Sequence, residues 1–153
     1  MINSLSVVFP LYNESNRLHY TFKDIKNFNK SKIKKLEFIF VDDGSIDNSV
    51  KILKKNLKYL KEKNILFKII SLKKNAGKGN AIKKGVKASK YEWILTLDTD
   101  ISVSLSQINE WIKKNYLSKK YSIYFGSRNL ENSIVKYQIH RKVFGVIFAT
   151  ILK

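Results

Sequence analysis

Cysteine is absent from this chain of 153 residues, proline occurs once, and acidic residues are scarce, with 12 Asp plus Glu against 30 Lys plus Arg. The absence of cysteine excludes disulfide bonds and thiolate metal sites, so a bound metal must use oxygen or histidine ligands. The first residues lack a charged, apolar leader, which predicts no signal peptide and a cytoplasmic protein. The apolar run 143–152 is shorter than the roughly 20 residues that span a bilayer, although it can lie on one.

The scarcity of acid leaves a formal charge of +18, which favours an anionic partner such as a nucleic acid or a membrane surface. Nearly all of this charge is lysine, because Arg17, Arg128 and Arg141 are the only arginines. Lysines spread in this way are equally typical of a solvated surface in a lysine-rich proteome. A basic nucleic-acid-binding module therefore stays an alternative, but the chain lacks segments that interleave aromatic and basic residues for stacking.

Apolar runs of strand length alternate with segments of helical period, which predicts an α/β fold with a mostly parallel sheet flanked by helices. The predicted strands are 5–9, 36–41, 66–71, 92–97 and 121–125. The predicted helices carry apolar stripes at Leu18, Phe22, Ile25 and Phe28, and at Val50, Leu53, Leu57 and Leu60. A third helix follows Gly77 and Gly79, a fourth begins at Ser104 with Gln107 completing a capping box, and 134–152 reads as a last helix.

The few aspartates cluster where two of these strands end. Asp42 and Asp43 follow the second strand, and Asp98 and Asp100 follow the fourth. Ligands of open α/β sheets bind at the carboxyl ends of the strands, so these positions predict a metal and nucleotide site. Carboxylates at i and i+2 can hold a divalent cation that also binds a nucleoside diphosphate. The alternative for Asp42, Asp43 and the nearby Asp47 is a turn or helix-capping role.

Three other segments reach the same predicted edge. Pro10 ends the first strand and leaves Tyr12 and Glu14 beside the next helix, where Asn13 or Glu14 can alternatively cap that helix. The segment 73–79 can bring backbone N–H groups and Lys78 to a phosphate, although its glycines can equally serve close helix packing. Finally, Arg128 follows the fifth predicted strand, and its guanidinium can bind a phosphate through two hydrogen bonds.

Taken in order, these motifs resemble those of the family 2 glycosyltransferases, most closely the dolichyl-phosphate mannose and glucose synthases and bacterial polyprenyl-phosphate glycosyltransferases. The matching segments are VVFPLYNE at 7–14, VDDGS at 41–45, NAGKG at 75–79, DTD at 98–100 and GSR at 126–128. The resemblance covers residues 5 to about 142. It implies a GT-A fold whose catalytic domain occupies 1–142, with 143–153 beginning a truncated helix at the membrane surface.

The resemblance also implies an inverting transfer of a hexose from a UDP- or GDP-sugar to a polyprenyl phosphate at the cytoplasmic face of a membrane. The implied nucleotide-sugar contacts are Pro10, Tyr12, Glu14, Val41, Asp43, Asp98 and Thr99, joined by Lys78 from the reasoning above. Asp98 and Asp100 would hold Mg²⁺ or Mn²⁺ on the diphosphate and act in catalysis together with Arg128. Arg128 and Arg141 would meet the acceptor phosphate.

The chain departs from the family pattern at two points. Thr99 stands where relatives often have Ala or Gly, and the family's members extend well beyond 153 residues. Three functional alternatives remain open: a transferase with a saccharide hydroxyl acceptor, an inactive fragment that only binds sugar nucleotides, and the nucleic-acid module. A hydroxyl acceptor would need a general base, whereas a lipid phosphate is already ionised.

Overall fold

The computed structural model describes residues 1–60, 65–117 and 120–126. Within these ranges strands and helices alternate, as the sequence predicts for an α/β chain. Their bounds are β1 Ile2–Leu11, α1 Leu18–Asn27, β2 Ile33–Asp42, α2 Ser49–Leu57, β3 Ile65–Ser71, α3 Lys78–Ala88, β4 Trp93–Thr96 and α4 Ser106–Lys113. The first four predicted strands are therefore confirmed, with β1 and β2 several residues longer than their apolar runs.

The described strands form one parallel sheet in the order β3-β2-β1-β4. The chain builds outward from β1 through β2 to β3 and then returns to place β4 on the other side of β1. The direction of strand order thus reverses between β1 and β4. In open α/β sheets a crevice for ligands opens at this reversal, outside the carboxyl ends of the two strands.

Helices cover both faces of the sheet, and the alternation of side chains along the strands decides which face each helix meets. Val7 and Phe9 of β1 and Phe38 and Phe40 of β2 form one core cluster. Buried apolar residues of α1, α2 and α4 belong to this same cluster, and its phenylalanine rings stack with centroids 5.2–6.2 Å apart.

The opposite face is covered by α3 and has a smaller core. Val8, Ile39 and Val41 pack there against Ala81. Gly85 lies directly on this layer, because a Cβ added to it would overlap the Val8 side chain. Close packing by glycine therefore occurs at Gly85, whereas a Cβ at Gly77 or Gly79 would meet no atom within 4 Å.

Two predicted elements differ from the structure. The fifth strand is not formed in residues 120–126, where Tyr121, Ile123 and Phe125 are exposed. Alternating apolar residues do not make a strand without a neighbouring strand to bond. The fourth helix begins at Ser106, and the reciprocal Ser104–Gln107 capping box is wrong, because the Gln107 N–H donates to the Ser104 carbonyl oxygen. Ser104 Oγ nevertheless accepts the backbone N–H of Ser106 at 3.2 Å, and it donates its hydroxyl hydrogen to Asp24 of α1.

The chain divides into two units, Met1–Leu117 and Ser118–Lys153, and all of the elements above belong to the first. The predicted helix 134–152 and the proposed segment 143–153 lie outside the described residues. No helix in the described part of the chain is long and apolar enough to cross a bilayer.

Candidate functional site

The loop that follows β1 is tied to the loop that follows β2 by a series of hydrogen bonds. Asn13 donates its backbone N–H to Ser45 Oγ at 2.9 Å and accepts one from the backbone of Ile46 on its side-chain oxygen at 3.0 Å. The backbone N–H of Glu14 is bonded to Ser49 Oγ at 2.8 Å. Asn13, at φ +54°, therefore fastens the two loops together instead of capping α1, so that part of the alternative is wrong.

The acidic end of β2 divides into separate roles. Asp42 Oδ1 accepts the backbone N–H of Ser45 and holds the turn. Asp47 accepts N–H groups from Ser49 at the start of α2 and from Ser15 in the first loop, as its capping alternative predicts. Asp43 faces the other way: its two carboxylate oxygens accept the backbone N–H groups of Ala76 and Gly77 at 3.0 and 2.7 Å.

Asp43 therefore fixes the loop that leads into α3. Gly77 stands there at φ +91° and ψ 152°, a conformation that only glycine adopts readily. Gly44 packs against the backbone of the same loop at Lys74 and Asn75, so closely that there is no room for a Cβ. Its φ of +75° also favours glycine. The glycines of this region thus serve the loop's conformation.

Asp98, Thr99 and Asp100 follow β4 and form the start of a tight loop. Thr99 is buried, whereas Asp98 and Asp100 are exposed toward solvent. Asp100 Oδ1 accepts the backbone N–H of Ser102 at 2.9 Å. The two carboxylates therefore stand on either side of a buried residue with oxygen atoms available to a ligand.

Lys78, the first residue of α3, reaches across to this loop. Its Nζ lies 2.7 Å from Asp98 Oδ1, and both side chains are about half exposed, at 60% and 49%. The lysine thereby stands at the start of a helix and beside a carboxylate of the candidate metal pair.

These segments surround a cavity of about 320 Å³ at the carboxyl ends of β1 and β4. Its lining combines the loops after β1, β2, β3 and β4 with the first turn of α3: Pro10, Leu11, Tyr12, Glu14, Asp43, Asn75, Lys78, Ala81, Asp98, Thr99 and Asp100. The cavity thus lies where the strand order reverses.

The lining is acidic although the chain is strongly basic. Four carboxylates, those of Glu14, Asp43, Asp98 and Asp100, face one lysine. Burial raises the pKa of Glu14 above its usual range; Arg17, 2.6 Å from Glu14 Oε2, opposes this, and the negative charge of Asp100 adds to it. A phosphate would be repelled by this lining unless a cation accompanied it.

The residues present fit a divalent cation of the Mg²⁺ or Mn²⁺ type. Such ions prefer carboxylate oxygens and commonly take one or two from the protein, leaving the other positions to phosphate and water. Asp98 and Asp100 supply that number, and the described residues contain no cluster of three or more His, Asp or Glu that could form a complete protein cage.

The structure brings most of the predicted site residues together in the cavity lining. Val41 is different, because its side chain is fully buried in the α3 face of the sheet and is not part of the lining. Side chains alternate along a strand, so Val41 lies on the face opposite to Phe40, where it packs against Ala81 of α3. Arg128 and Arg141 lie outside the described residues.

The sequence reasoning missed several residues of this region. Leu11, Asn75 and Ala81 line the cavity, and Asn75 had a signal in its position after the third strand. Thr21 also had one: it is a buried hydroxyl in the apolar stripe of α1, where its Oγ1 donates to the carbonyl oxygen of Thr99 at 2.6 Å.

Two known proteins are similar to this chain in sequence. Dolichyl-phosphate beta-glucosyltransferase of Dictyostelium discoideum is 34% identical over 110 residues, which are 69% of this chain and 33% of that protein. Poly-beta-1,6-N-acetyl-D-glucosamine synthase of Staphylococcus epidermidis is 32% identical over 99 residues, 65% of this chain and 22% of the relative. The chain thus matches a third or less of the length of these relatives.

Solved structures show the same fold. A mannosyltransferase from Pyrobaculum calidifontis, solved with GDP-Man and Mn²⁺, has a TM-score of 0.60 at 18% identity over 71% of this chain and 31% of its own. Glucosyl-3-phosphoglycerate synthase from Mycobacterium tuberculosis, solved with Mn²⁺ and UDP, has a TM-score of 0.55 at 19% identity, over 77% and 41%. These likenesses confirm the predicted GT-A-like fold.

The sequence profile of the family described as Glycosyl transferase family 2 matches residues 6–143, which include every strand of the described sheet except the first residues of β1. This chain belongs to glycosyl transferase family 2.

Proposed function

We propose that the cavity binds a UDP- or GDP-sugar together with Mg²⁺ or Mn²⁺, and that the protein transfers the sugar to a polyprenyl phosphate with inversion. The observation that carries this proposal is the acidic lining at the reversal of strand order in a chain of net charge +18. Such a lining favours an anionic ligand only when a cation comes with it. A nucleoside diphosphate with a divalent ion has that chemistry.

The nucleoside would lie against the segment after β1 and the end of β2. Pro10 and Tyr12 offer apolar and aromatic surface, and the Tyr12 side chain is partly exposed in the cavity. Asp43 has both oxygens on backbone N–H groups, yet a carboxylate has further lone pairs for a ribose or base donor. Glu14 closes the same side, and Val41 supports it from the core.

The diphosphate would lie near Asp98, Asp100 and Lys78. Asp98 and Asp100 would hold the cation, which when bound supplies positive charge to the leaving diphosphate. Lys78 would contact the phosphates and Thr99 would lie against the sugar nucleotide. Together these residues stabilise the negative charge that develops on the leaving group, the main task of the protein in such a transfer.

A lipid phosphate as acceptor is supported by the name of the Dictyostelium relative and by the basic charge of the chain. An ionised phosphate needs no general base, and Arg128 and Arg141 are the groups proposed to bind it. The charge also favours the anionic face of a membrane, where such a lipid is found. The staphylococcal relative, named as a polysaccharide synthase, makes a saccharide hydroxyl the second candidate acceptor.

Calorimetry with UDP and GDP, in the presence and absence of Mn²⁺, tests the nucleotide site. We expect one nucleotide to bind with Mn²⁺, and we expect Asp100→Asn to abolish the contribution of the metal while the fold persists. Glu110→Gln, an exposed carboxylate of α4 outside the cavity lining, is the matched control. Unchanged metal-dependent binding in Asp100→Asn would exclude the proposed metal pair.

Transfer is tested separately with radiolabelled UDP- and GDP-sugars. Polyprenyl phosphate in detergent or vesicles should become labelled, with the label lost when the lipid lacks its phosphate. Labelling of a saccharide alone would favour the second acceptor. Nucleotide binding without any transfer would favour the alternative that this chain is an inactive fragment that only binds sugar nucleotides. Salt-sensitive binding to nucleic acid without a response to UDP or GDP would overturn the whole proposal.

A further inference from the structure

Helix α1 bonds to the loop that carries Asp98 and Asp100 through two side chains, Thr21 and Asp24, that are not part of the cavity lining. Thr21, fully buried, donates its hydroxyl hydrogen to the carbonyl oxygen of Thr99 at 2.6 Å. One helical turn further along, the two oxygens of Asp24 accept the hydroxyl of Ser104 and the backbone N–H of Leu105, each at 2.7 Å. One face of α1 thus bonds both ends of the segment 99–105.

The segment between these two anchors holds an unfavourable backbone conformation. Ile101 stands at φ +53°, a region that β-branched residues rarely adopt. Its backbone N–H is bonded to the carbonyl oxygen of Asp98 at 3.2 Å, and Ser102 donates to Asp100 Oδ1. A conformation of this kind persists only where the surrounding structure holds it in place.

We propose that Thr21 and Asp24 are positioning residues that keep the Asp98–Asp100 loop in the shape that binds the divalent cation and the diphosphate. This inference rests on the proposed function. The hydroxyl of Thr21 fixes the backbone between the two carboxylates, and Asp24 fixes the loop where it enters α4. Without them, we expect the strain at Ile101 to be released by a change of the loop, so that Asp98 and Asp100 no longer hold the positions that bind the cation.

The Thr21 contact can be removed with little change of volume. Thr21→Val keeps the branched shape but leaves the Thr99 carbonyl without its donor, and Thr99 is only 3% exposed. Leaving such a buried group unpaired corresponds to roughly a tenfold effect on an equilibrium. Thr21→Ser keeps the hydroxyl and loses only the methyl group, so it is the rescue variant.

The measurement is the ratio of nucleotide affinities with and without Mn²⁺, using UDP or GDP, whichever binds the unaltered chain. We expect Thr21→Val to lower this ratio about tenfold, with the metal-free affinity unchanged, and Thr21→Ser to restore it. If transfer is measured as well, kcat should fall more than KM rises. Asp24→Asn should lower the same ratio about threefold, because one of its two acceptors survives as an amide oxygen.

Ser6→Ala separates positioning from general stability. Ser6 is also a fully buried hydroxyl, bonded to Glu37 at 2.5 Å, but it lies in β1 away from the cavity lining. We expect it to lower the melting temperature without changing the affinity ratio. If Thr21→Val does not fold, the affinity ratio of Asp24→Asn tests the positioning role.

The outcomes distinguish this inference from the proposed function. An unaltered chain whose nucleotide affinity does not respond to Mn²⁺ would overturn both. A normal response that is retained in Thr21→Val and Asp24→Asn would overturn only the positioning role. A loss of the ratio in Ser6→Ala equal to that in Thr21→Val would also overturn it, because stability alone would then explain the effect.

Discussion

At the residue scale, the ion pair between Lys78 and Asp98 places one cation where a metal and a phosphate would both compete for partners. The lysine partly neutralises Asp98. In the proposed complex, a divalent ion would take the carboxylate and Lys78 would contact the phosphate instead. Lys78 should therefore weaken the binding of a divalent cation and strengthen the binding of a phosphate. This makes Lys78 testable by a single substitution.

We expect Lys78→Met to strengthen binding of Mn²⁺ alone by about threefold, because Asp98 loses a competing cation at an exposed site. The same substitution should weaken UDP or GDP binding with Mn²⁺ by about tenfold, since a charged hydrogen bond to phosphate is lost. Manganese titration followed by electron paramagnetic resonance measures the first effect and calorimetry the second. Lys84→Met, an exposed lysine of the same helix, is the control. If Lys78→Met changed the affinity for Mn²⁺ alone and the affinity for the nucleotide in the same direction, the proposed dual role of Lys78 would be contradicted.

Asp47 is the second informative residue, because its carboxylate ties two site loops together. Burial alone would raise its pKa, but hydrogen bonds from Ser49 and Ser15 outweigh this and lower the pKa from 3.8 to about 2. A carboxyl with a lowered pKa stabilises the folded state above the unfolded value and loses this effect as the pH falls through the folded value.

We therefore expect stability to decline between pH 3.8 and about 2, and Asp47→Asn to make this decline shallower. The amide oxygen can still accept the Ser49 N–H, so the fold should persist. Urea unfolding at a series of pH values measures the slope. Glu110→Gln serves as the control, and an equally steep decline in Asp47→Asn would contradict the assignment.

At the element scale, the packing of α3 on the sheet depends on the absence of a side chain at Gly85. Gly85 lies against Val8 of β1 and Val41 of β2, so a Cβ there would force either the helix or the valine side chains to shift. Gly79, the second residue of the same helix, has open space around it and an ordinary φ. The two glycines therefore form a matched pair.

We expect Gly85→Ala to destabilise the protein by about 1–3 kcal/mol through overpacking. Gly79→Ala should be neutral or stabilising by up to about 1 kcal/mol, because alanine restricts the unfolded chain and favours helix. Chemical unfolding measures both. Equal stabilisation by the two substitutions would show that helix propensity rather than close packing governs α3.

Strands and helices could be predicted from the sequence where consecutive or periodic apolar residues are buried in the core. Phe38, Phe40 and Val41 belong to a run that is apolar on both faces, and such a run is typical of a central parallel strand. The contribution of Asp24 to the start of α4 could not be predicted, because Asp24 is about 80 residues away in sequence. The strand at 121–125 was wrong because alternation in sequence does not supply a pairing partner.

The acidic strand ends were predictable as neighbours for a related reason: parallel strands bring their carboxyl ends to one edge whatever their order. The reversal of order between β1 and β4 was not predictable, since strand order is a tertiary property. The role of Asp43 in holding the Ala76–Gly77 backbone likewise depends on a contact across 33 and 34 residues.

At the scale of the whole molecule, the two ends of the sheet carry different kinds of buried polar group. The carboxyl end holds the acidic cavity. Toward the other end, Glu37 of β2 is only 2% exposed and accepts the hydroxyl of Ser6 and the backbone N–H of Lys90. Ser6 in turn accepts the N–H of Tyr91, so this network attaches the segment between α3 and β4 to the sheet.

The network near Glu37 should therefore support stability without supporting nucleotide binding. Ser6→Ala removes one donor from a buried carboxylate and one acceptor from Tyr91, which costs about 1–3 kcal/mol of unfolding free energy. Chemical unfolding measures this loss, and calorimetry with UDP or GDP and Mn²⁺ should give the affinity of the unaltered chain. A fall in affinity as large as that of Thr21→Val would contradict this expectation, because loss of stability alone would then weaken nucleotide binding. Unchanged affinity at lower stability would instead mean that the loops and α1 fix the Asp98–Asp100 pair independently of the far end of the strand.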